Sequence, residues 1–314
     1  MGIRQPDDDH AASNRGVDSR VGAVVVFYHP DDTCFRNANR LAERLVCVVV
    51  DNTEGSTQDS GRGLAAGVHY LPSGKNEGIA TAFNRGVARL KELQCDKAIL
   101  FDQDSAPDAR LLVELPRAMA ELSKVNPRVA LVGPAYVDDR LGGPTPFVRF
   151  APWRLLRVPA EGDAPIGTDF LISSGSCVNL QAWDEIGPLQ DDLFIDFVDL
   201  EWCVRAKRKG FSLYGIPWVQ MNHSLGGEPI RVLGRAYPSH SATRHYYLFR
   251  NAVALILRPD IPWLWKSGEL VKLPIRLCIY ALFLKPRWRH VKMACNGIMD
   301  GLRGRLGPLR ERPR

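Results

Sequence analysis

Ala98-Ile99-Leu100-Phe101-Asp102-Gln103-Asp104-Ser105 is the stretch whose reading decides the fold. Its apolar start reads as a short buried strand, and the strand stops on two carboxylates one residue apart. Extended chain alternates faces with period two, so Asp102 and Asp104 are expected on the same side. In an open α/β sheet, ligands bind outside the carboxyl ends of the strands. Paired carboxylates at such an end suit a hard divalent cation, Mg²⁺ or Mn²⁺, that keeps waters and binds substrate phosphates. The plainer reading is a solvated acidic turn before Pro107 and a helix, and a bare D-x-D does not separate the two.

Upstream, residues 21–28 (VGAVVVFY) and 46–50 are short apolar runs rich in valine, as strands buried on both faces of a parallel sheet read, and 68–71 reads as a third, short strand. A helix is expected over 33–44, capped by Asp32, and another over 78–93, where Ile79, Phe83, Val87 and Leu90 recur at helical spacing. Asn76 sits at the entry of the second helix. This alternation predicts an α/β fold: a mostly parallel, doubly wound central sheet flanked by helices. Downstream, 108–126 reads as a helix and 129–136 as a strand. Residues 138–165 form a long loop or hairpin, and Ser173-Ser174-Gly175-Ser176 would let backbone approach a ligand closely. A helix is expected from Asp199 to Lys209 with Gly210 as its C-cap, then short strands at 212–216 and 219–223.

Acidic residues thus stand at several strand ends or helix starts: Asp51, Asp102 with Asp104, and Asp196 with Asp199. Successive parallel strands emerge at one edge, so these groups are expected to share a cleft. A cation on Asp104 could bridge a diphosphate and offset its charge as it departs. A carboxylate across the cleft could take a proton from an attacking hydroxyl. Asp199 is placed for this, with its ionised form favoured by the helix N-terminus, unless it is an ordinary N-cap. His223 ends the last strand beside glycines and could complete a metal shell or be structural. No G-x-x-x-x-G-K-[ST] is present, and no G-x-G-x-x-G follows the first strand, so phosphate would be bound through metal and side chains.

At 314 residues the chain is long enough for one large domain, or one domain with an appendage. Its 7 cysteines include no C-x-x-C pair, and most sit inside apolar runs, which reads as reduced, buried thiols. Residues 1–20 are polar and read as a disordered tail rather than a signal peptide. The net charge of +6 conceals a split: residues 231–314 carry 17 Lys+Arg against 4 Asp+Glu, leaving 24 against 31 for the rest. A basic region on an acidic body suggests an anionic partner, nucleic acid or membrane. Within 258–309, Trp263, Trp265, Leu270, Leu273, Leu277, Tyr280, Leu284 and Trp288 recur near helical spacing among lysines and arginines. That is the pattern of basic amphipathic helices in a membrane interface, or of a helical pair packed on the body with its charges solvated.

The residues as a whole resemble the inverting family-two glycosyltransferases of GT-A fold, most of all the bacterial rhamnosyltransferases that use dTDP-L-rhamnose. The resemblance covers roughly residues 21–251 and is carried most specifically by FDQDS (101–105) and FIDFVDLEWC (194–203). It implies a GT-A domain over 21–251 and a C-terminal helical region over 252–314. It implies that Tyr28, Asp51 and Asn76 line the nucleoside pocket, with Asp51 near base or ribose. Asp102 would face ribose and diphosphate, and Asp104, with Asp102 and His223, would hold the metal. Asp199 matches the general base. Arg244, Tyr246, Tyr247, Arg250 and Asn251 match a segment that closes over the donor. Many relatives carry Glu-Asp where this chain has Val198-Asp199, leaving Asp196 or Glu201 as the partner of the base. The implied reaction moves L-rhamnose to a lipid-linked saccharide in cell-surface polysaccharide synthesis. The implied location is cytoplasmic, peripheral on the anionic inner face of the cell membrane. The alternatives are a UDP-hexose or UDP-galactofuranose donor on the same scaffold, and a nucleic-acid binder using the basic region. The acidic cleft speaks against nucleic acid, because it would repel phosphate unless a metal intervened.

Overall fold

The valine-rich runs form one sheet in the computed structural model, which describes residues 19–138, 143–222, 230–232, 235–237 and 240–309. Residues 1–18 of the expected N-terminal tail, and His223, lie outside the described residues. The first half alternates as expected: β1 (Val21–Phe27), α1 (Asp32–Ala42), β2 (Val46–Asp51), β3 (Val68–Pro72), α2 (Ile79–Glu92), β4 (Lys97–Asp102), α3 (Ala109–Val125) and β5 (Val129–Asp138). There follow β6 (Gly143–Pro144), β7 (Phe147–Phe150), β8 (Leu155–Val158), β9 (Ile166–Thr168), β10 (Cys177–Asn179), α4 (Leu180–Ile186), α5 (Val198–Arg208) and β11 (Ser212–Asn222). The chain closes with β12 (Ile230–Val232), β13 (Arg235–Tyr237), α6 (Ala242–Leu257), α7 (Trp263–Phe283) and α8 (Arg287–Leu302).

The main sheet runs β3-β2-β1-β4-β10-β5-β11-β9, with β6 beside β5. β1, β2, β3 and β4 are mutually parallel where they pair, and β11 is parallel to β5. From β1 the chain winds out to β2 and β3, then returns to β4 on the other side of β1. The winding therefore reverses between β1 and β4, where open α/β sheets hold ligands. Both faces are covered. Val24, Val26, Val48 and Leu100 pack with Phe83, Val87 and Leu90 of α2 on one side. Val25, Phe27, Val49 and Phe101 pack with Leu41 of α1 and Leu111, Leu115 and Met119 of α3 on the other.

Two local expectations need correction, and one strand was not expected. α1 is capped by Asp31, whose carboxylate accepts from the Thr33 and Cys34 amides at 2.9 and 3.0 Å, and Asp32 is the first helical residue. β10 inserts antiparallel between β4 and β5, because Gly175-Ser176 turns the chain back beside Leu100. The two strands expected at 212–223 are one, β11, with its register shifted between Ile216 and Gln220, where Pro217 can donate no ladder bond.

The C-terminal helices continue the body. α6 crosses the boundary expected at 251/252 as one helix. Its Phe249, Ala252 and Val253 share an apolar cluster with Leu273, Ile279 and Tyr280 of α7 and Ala294 of α8. A Cβ added to Gly297 of α8 would meet the Tyr246 carbonyl oxygen of α6 well inside van der Waals contact. Gly297→Ala is therefore expected to cost about 1–3 kcal/mol, read by chemical denaturation, because one backbone must move off the other. Some basic side chains of this region are paired locally. Buried Glu269 pairs with Lys272 and Arg276 at 2.9 and 2.7 Å, and Arg258 pairs with Asp260 and Glu201 at 2.7 and 3.2 Å.

Candidate functional site

A cavity of about 620 Å³ opens at the carboxyl edge of the sheet, where β1 and β4 part. Tyr28 follows β1 at its wall, Asn52 follows β2, and Asp102, Gln103 and Asp104 end or follow β4. Gln103 stitches the two central strands together. Its Oε1 accepts from the Tyr28 amide at 2.7 Å and its Nε2 donates to the Tyr28 carbonyl at 3.1 Å. The strand stops at Asp102, so the period-two argument does not reach Asp104. A turn closed by the Ser105 amide on the Asp102 carbonyl at 3.1 Å brings Asp104 round to the same cavity.

The small-residue stretch forms the adjoining wall, with Ser173 and Ser174 lining it. Ser174 Oγ lies 2.9 Å from Ser105 Oγ and accepts from the Asp102 amide at 3.3 Å. Tyr136 holds this wall from below by donating to the Ser174 carbonyl at 2.9 Å.

The third wall is the loop before α5. Phe194, Asp196 and Phe197 take φ of 65°, 62° and 62°, the left-handed region. Such residues cost about 1–3 kcal/mol each and persist only where surroundings over-determine them. Here they are over-determined. The Ile79 amide donates to the Phe194 carbonyl at 2.7 Å. Asn251 Nδ2 donates to the carbonyls of Leu193, Ile195 and Asp196 at 2.8, 2.7 and 3.0 Å. Arg250 Nη2 donates to the carbonyls of Asp192 and Leu193 at 3.0 and 2.9 Å, and its Nη1 donates to the Gly307 carbonyl. The loop thereby presents Asp196 and Asp199 to the cavity.

Asp199 is not the N-cap. That position is Phe197, which makes no side-chain cap bond, and Asp199 accepts from the Leu200 amide at 2.9 Å. Burial pushes its carboxyl up to about 6, with Asp196 adding repulsion and the Leu200 amide opposing. Desolvation thus outweighs the helix N-terminus, which was expected to favour the ion. A carboxyl poised near neutral pH is suited to accept a proton. Asp196, the other cavity carboxylate of this loop, is paired with Arg244 at 3.1 Å. Glu201 stands apart, buried and paired with Arg205 and Arg258 at 2.8 and 3.2 Å.

The cavity therefore gathers Tyr28, Asn76, Asp102, Asp104, Asp199 and Arg244 from the expected set. Asp51 and Arg250 are not among the lining residues. Asp51 is 2% exposed, its oxygens taken by the Tyr70 hydroxyl at 2.6 Å and the Thr53 amide at 2.8 Å. Asn52, one residue on, lines the cavity instead, its Nδ2 donating to the Gly78 carbonyl at 2.9 Å. Arg250 is fully buried, with Tyr247 4.8 Å from its guanidinium, and holds the loop from behind. His240, Phe194 and Phe197 line the cavity without having been singled out. Nothing local marks His240, and the two phenylalanines read as ordinary apolar residues until the loop's dihedrals are known.

Among the described residues no group of three or more His, Cys, Asp or Glu is arranged to hold a metal. The carboxylates of Asp102 and Asp104 on one cavity are oxygen donors of the kind Mg²⁺ or Mn²⁺ accepts when phosphate oxygens and water supply the remainder. The residues present fit such a cation.

No protein-family model matches the chain. It is 30% identical over 298 residues to the dTDP-rhamnosyl transferase RfbF of Shigella flexneri, covering 93% of this chain and 98% of that one. It is 22% identical to the low-salt glycan biosynthesis hexosyltransferase Agl10 of Haloferax volcanii over 90% of this chain and 91% of that one. Its fold matches GalNAc-T7 crystallised with UDP, GalNAc and Mn²⁺ (TM-score 0.53, 14% identity, 91% of this chain and 56% of that one). It also matches S. aureus TarS 1-349 in complex with UDP-GlcNAc (TM-score 0.53, 12% identity, 90% of this chain and 81% of that one). With the GT-A architecture in place and a full-length relative at this identity, the chain belongs to the family-two glycosyltransferases, in the group that includes the dTDP-rhamnosyl transferases.

Proposed function

We propose that this glycosyltransferase moves L-rhamnose from dTDP-L-rhamnose to a hydroxyl of a lipid-linked saccharide, inverting the anomeric centre in one displacement. The observation that carries the reading is the cavity itself, which puts Asp199, poised near neutral pH, on the same cavity as the Asp102/Asp104 pair. The donor's nucleoside lies towards Tyr28, Asn52 and Asn76, and its diphosphate towards Asp102 and Asp104. Its sugar is held between Ser173-Ser174 and the Phe194–Phe197 wall. Asp199 removes the proton of the acceptor hydroxyl as that oxygen attacks from the face opposite the nucleotide. The Arg244 side chain, balanced by Asp196, adds positive charge on the cavity wall. Asp102 and Asp104 would hold a divalent cation, which when bound offsets the charge of the departing diphosphate. No enzyme nucleophile is required.

The lipid-linked acceptor and a peripheral place on an anionic membrane belong to the same proposal. They are supported by an apolar stripe on α7 and by Trp288 at the start of α8. Trp263, Val271, Leu282 and Trp288 are 71%, 62%, 61% and 76% exposed. The side chains of Lys285, Arg289 and Lys292, around that turn, are exposed and have no hydrogen-bond or ion-pair partner among the described residues. No helix among the described residues is long and apolar enough to cross a membrane.

The test is a panel of nucleotide sugars with purified protein, with and without EDTA, scored for nucleoside diphosphate release. dTDP-L-rhamnose should give the highest kcat/KM, and EDTA should remove most of the rate. Asp104→Ala should weaken Mn²⁺ binding and lower turnover by about 10²-fold, the scale of one lost transition-state charge contact. A clear preference for UDP-hexose or UDP-galactofuranose would replace the donor assignment and keep the scaffold.

A further inference from the structure

The β7–β8 hairpin has no role in the cavity, yet its surface is unusual. Trp153 at the tip is 92% exposed, and Leu155 beside it is 41% exposed. Arg149, Arg154 and Arg157 are exposed on the same hairpin, and none of their side chains makes a hydrogen bond or ion pair among the described residues. Glu161 and Asp163 follow β8 and pair with none of them. The inward side is firmly tied down. The Val148 carbonyl accepts from the Asp169 amide at 2.9 Å and the Thr168 hydroxyl at 2.7 Å, and the Phe150 amide donates to Asp169 Oδ2 at 2.7 Å. A rigid base thus presents a bare indole and three uncompensated guanidinium groups.

The hairpin and the start of α7 adjoin one wall of the cavity. Phe150 packs in an apolar cluster with Leu200, Ile261, Trp265 and Phe197. Phe197 lines the cavity, and its ring meets Trp265 of α7 edge-on at 5.3 Å.

We infer that the hairpin is a second lipid-contacting element, in which Trp153 seats at headgroup depth and Arg149, Arg154 and Arg157 take the phosphates of an anionic bilayer. This rests on the proposed membrane docking through α7. The chemistry favours lipid over other anions. Guanidinium groups bind phosphate through paired N–H donors, and tryptophan concentrates at the membrane–water interface. A nucleic acid would satisfy the arginines but leave Leu155 in water beside them, whereas a bilayer takes the guanidinium groups at its phosphates and covers Trp153 and Leu155 as well. Two contacts flanking one cavity wall would fix the height of the cavity above the membrane, where a lipid-linked acceptor hydroxyl arrives.

The experiment is sedimentation of the full chain with vesicles of phosphatidylcholine alone, and of two parts phosphatidylcholine to one part phosphatidylglycerol. The triple variant Arg149→Ser/Arg154→Ser/Arg157→Ser should bind the anionic vesicles about 100-fold more weakly than wild type, and Trp153→Ser should weaken binding about 10-fold. Both should keep wild-type nucleoside diphosphate release with a water-soluble acceptor, which shows that they fold. Wild-type vesicle affinity in the triple variant overturns the inference. So does intact vesicle binding with a raised KM for the soluble acceptor, which would make the hairpin an acceptor contact. Leu270 and Ile275 are also exposed on α7, at 51% and 48%, and Leu270→Asp/Ile275→Asp tests that helix separately: loss of binding there alone keeps the α7 docking and removes the hairpin. Failure of wild type to bind anionic vesicles overturns both, while leaving the donor panel as an independent test of the transferase reading.

Discussion

Asp199→Asn is expected to lower kcat by about 10³-fold or more while leaving donor affinity within about twofold, because a neutral amide fills the same space but accepts no proton. Isothermal titration with dTDP-L-rhamnose and single-turnover assays separate the two effects. The wild-type rate should follow ionisation of this carboxyl, falling about tenfold per pH unit below about 6 and levelling above it. Stability should move the opposite way. Burial raises the folded-state pKa above the unfolded value, so the stabilisation from this group is full below the unfolded value and is lost as pH rises through about 6. At pH 8 the wild type therefore carries a desolvated carboxylate that Asn lacks, and the variant should be more stable by on the order of 2 kcal/mol. That gain should fade between pH 6 and pH 4. A dead but stabilised variant is the signature of a site that holds an unfavourable charge for chemistry. Near-wild-type turnover would remove Asp199 from the role.

Arg250→Ala should be the most damaging change outside the cavity, at about 4 kcal/mol of stability and roughly 10 °C in the unfolding midpoint. The fully buried guanidinium donates to the carbonyls of Asp192, Leu193 and Gly307, and alanine takes a donor from each, leaves the Gly307 carbonyl unpaired and opens a void where the side chain lay, while Asp192 keeps the Gly307 amide and Leu193 keeps Asn251. The same loop holds its left-handed turn only while its carbonyls are held, so kcat should fall as well. Arg250→Lys should recover part of the stability, since an ammonium reaches some of these oxygens without the planar fork. Urea denaturation and donor titration on the same variants decide between two roles. A weakened donor Kd with unchanged stability would return Arg250 to the donor site. Lost stability confirms it as the residue that holds the loop.

Several features were legible because they are local. The valine runs, the helical spacing of Ile79, Phe83, Val87 and Leu90, and the carboxylates closing β4 are read within a few residues of themselves. The resemblance added that the 101–105 and 194–203 segments belong to one site. Asp51 and Arg250 were misplaced for a common reason. Each has the right chemistry beside the cavity, and only the contacts decide whether its polar atoms are already taken. Tyr70 and Thr53 occupy Asp51, and backbone carbonyls from two distant segments occupy Arg250.

The sequence by itself determined a doubly wound sheet with acidic strand ends and a basic, amphipathic C-terminal region, since periodicity and charge are properties of the chain alone. Tertiary structure alone decided that α6 and Gly307 brace the loop carrying Asp199, and that Asp199 is desolvated enough to titrate at about 6. Only the fold shows how many of the C-terminal arginines are already paired. Burial and partner choice depend on which segments meet in space, and loop closure brings Asp192 to Arg250 across 58 residues of sequence.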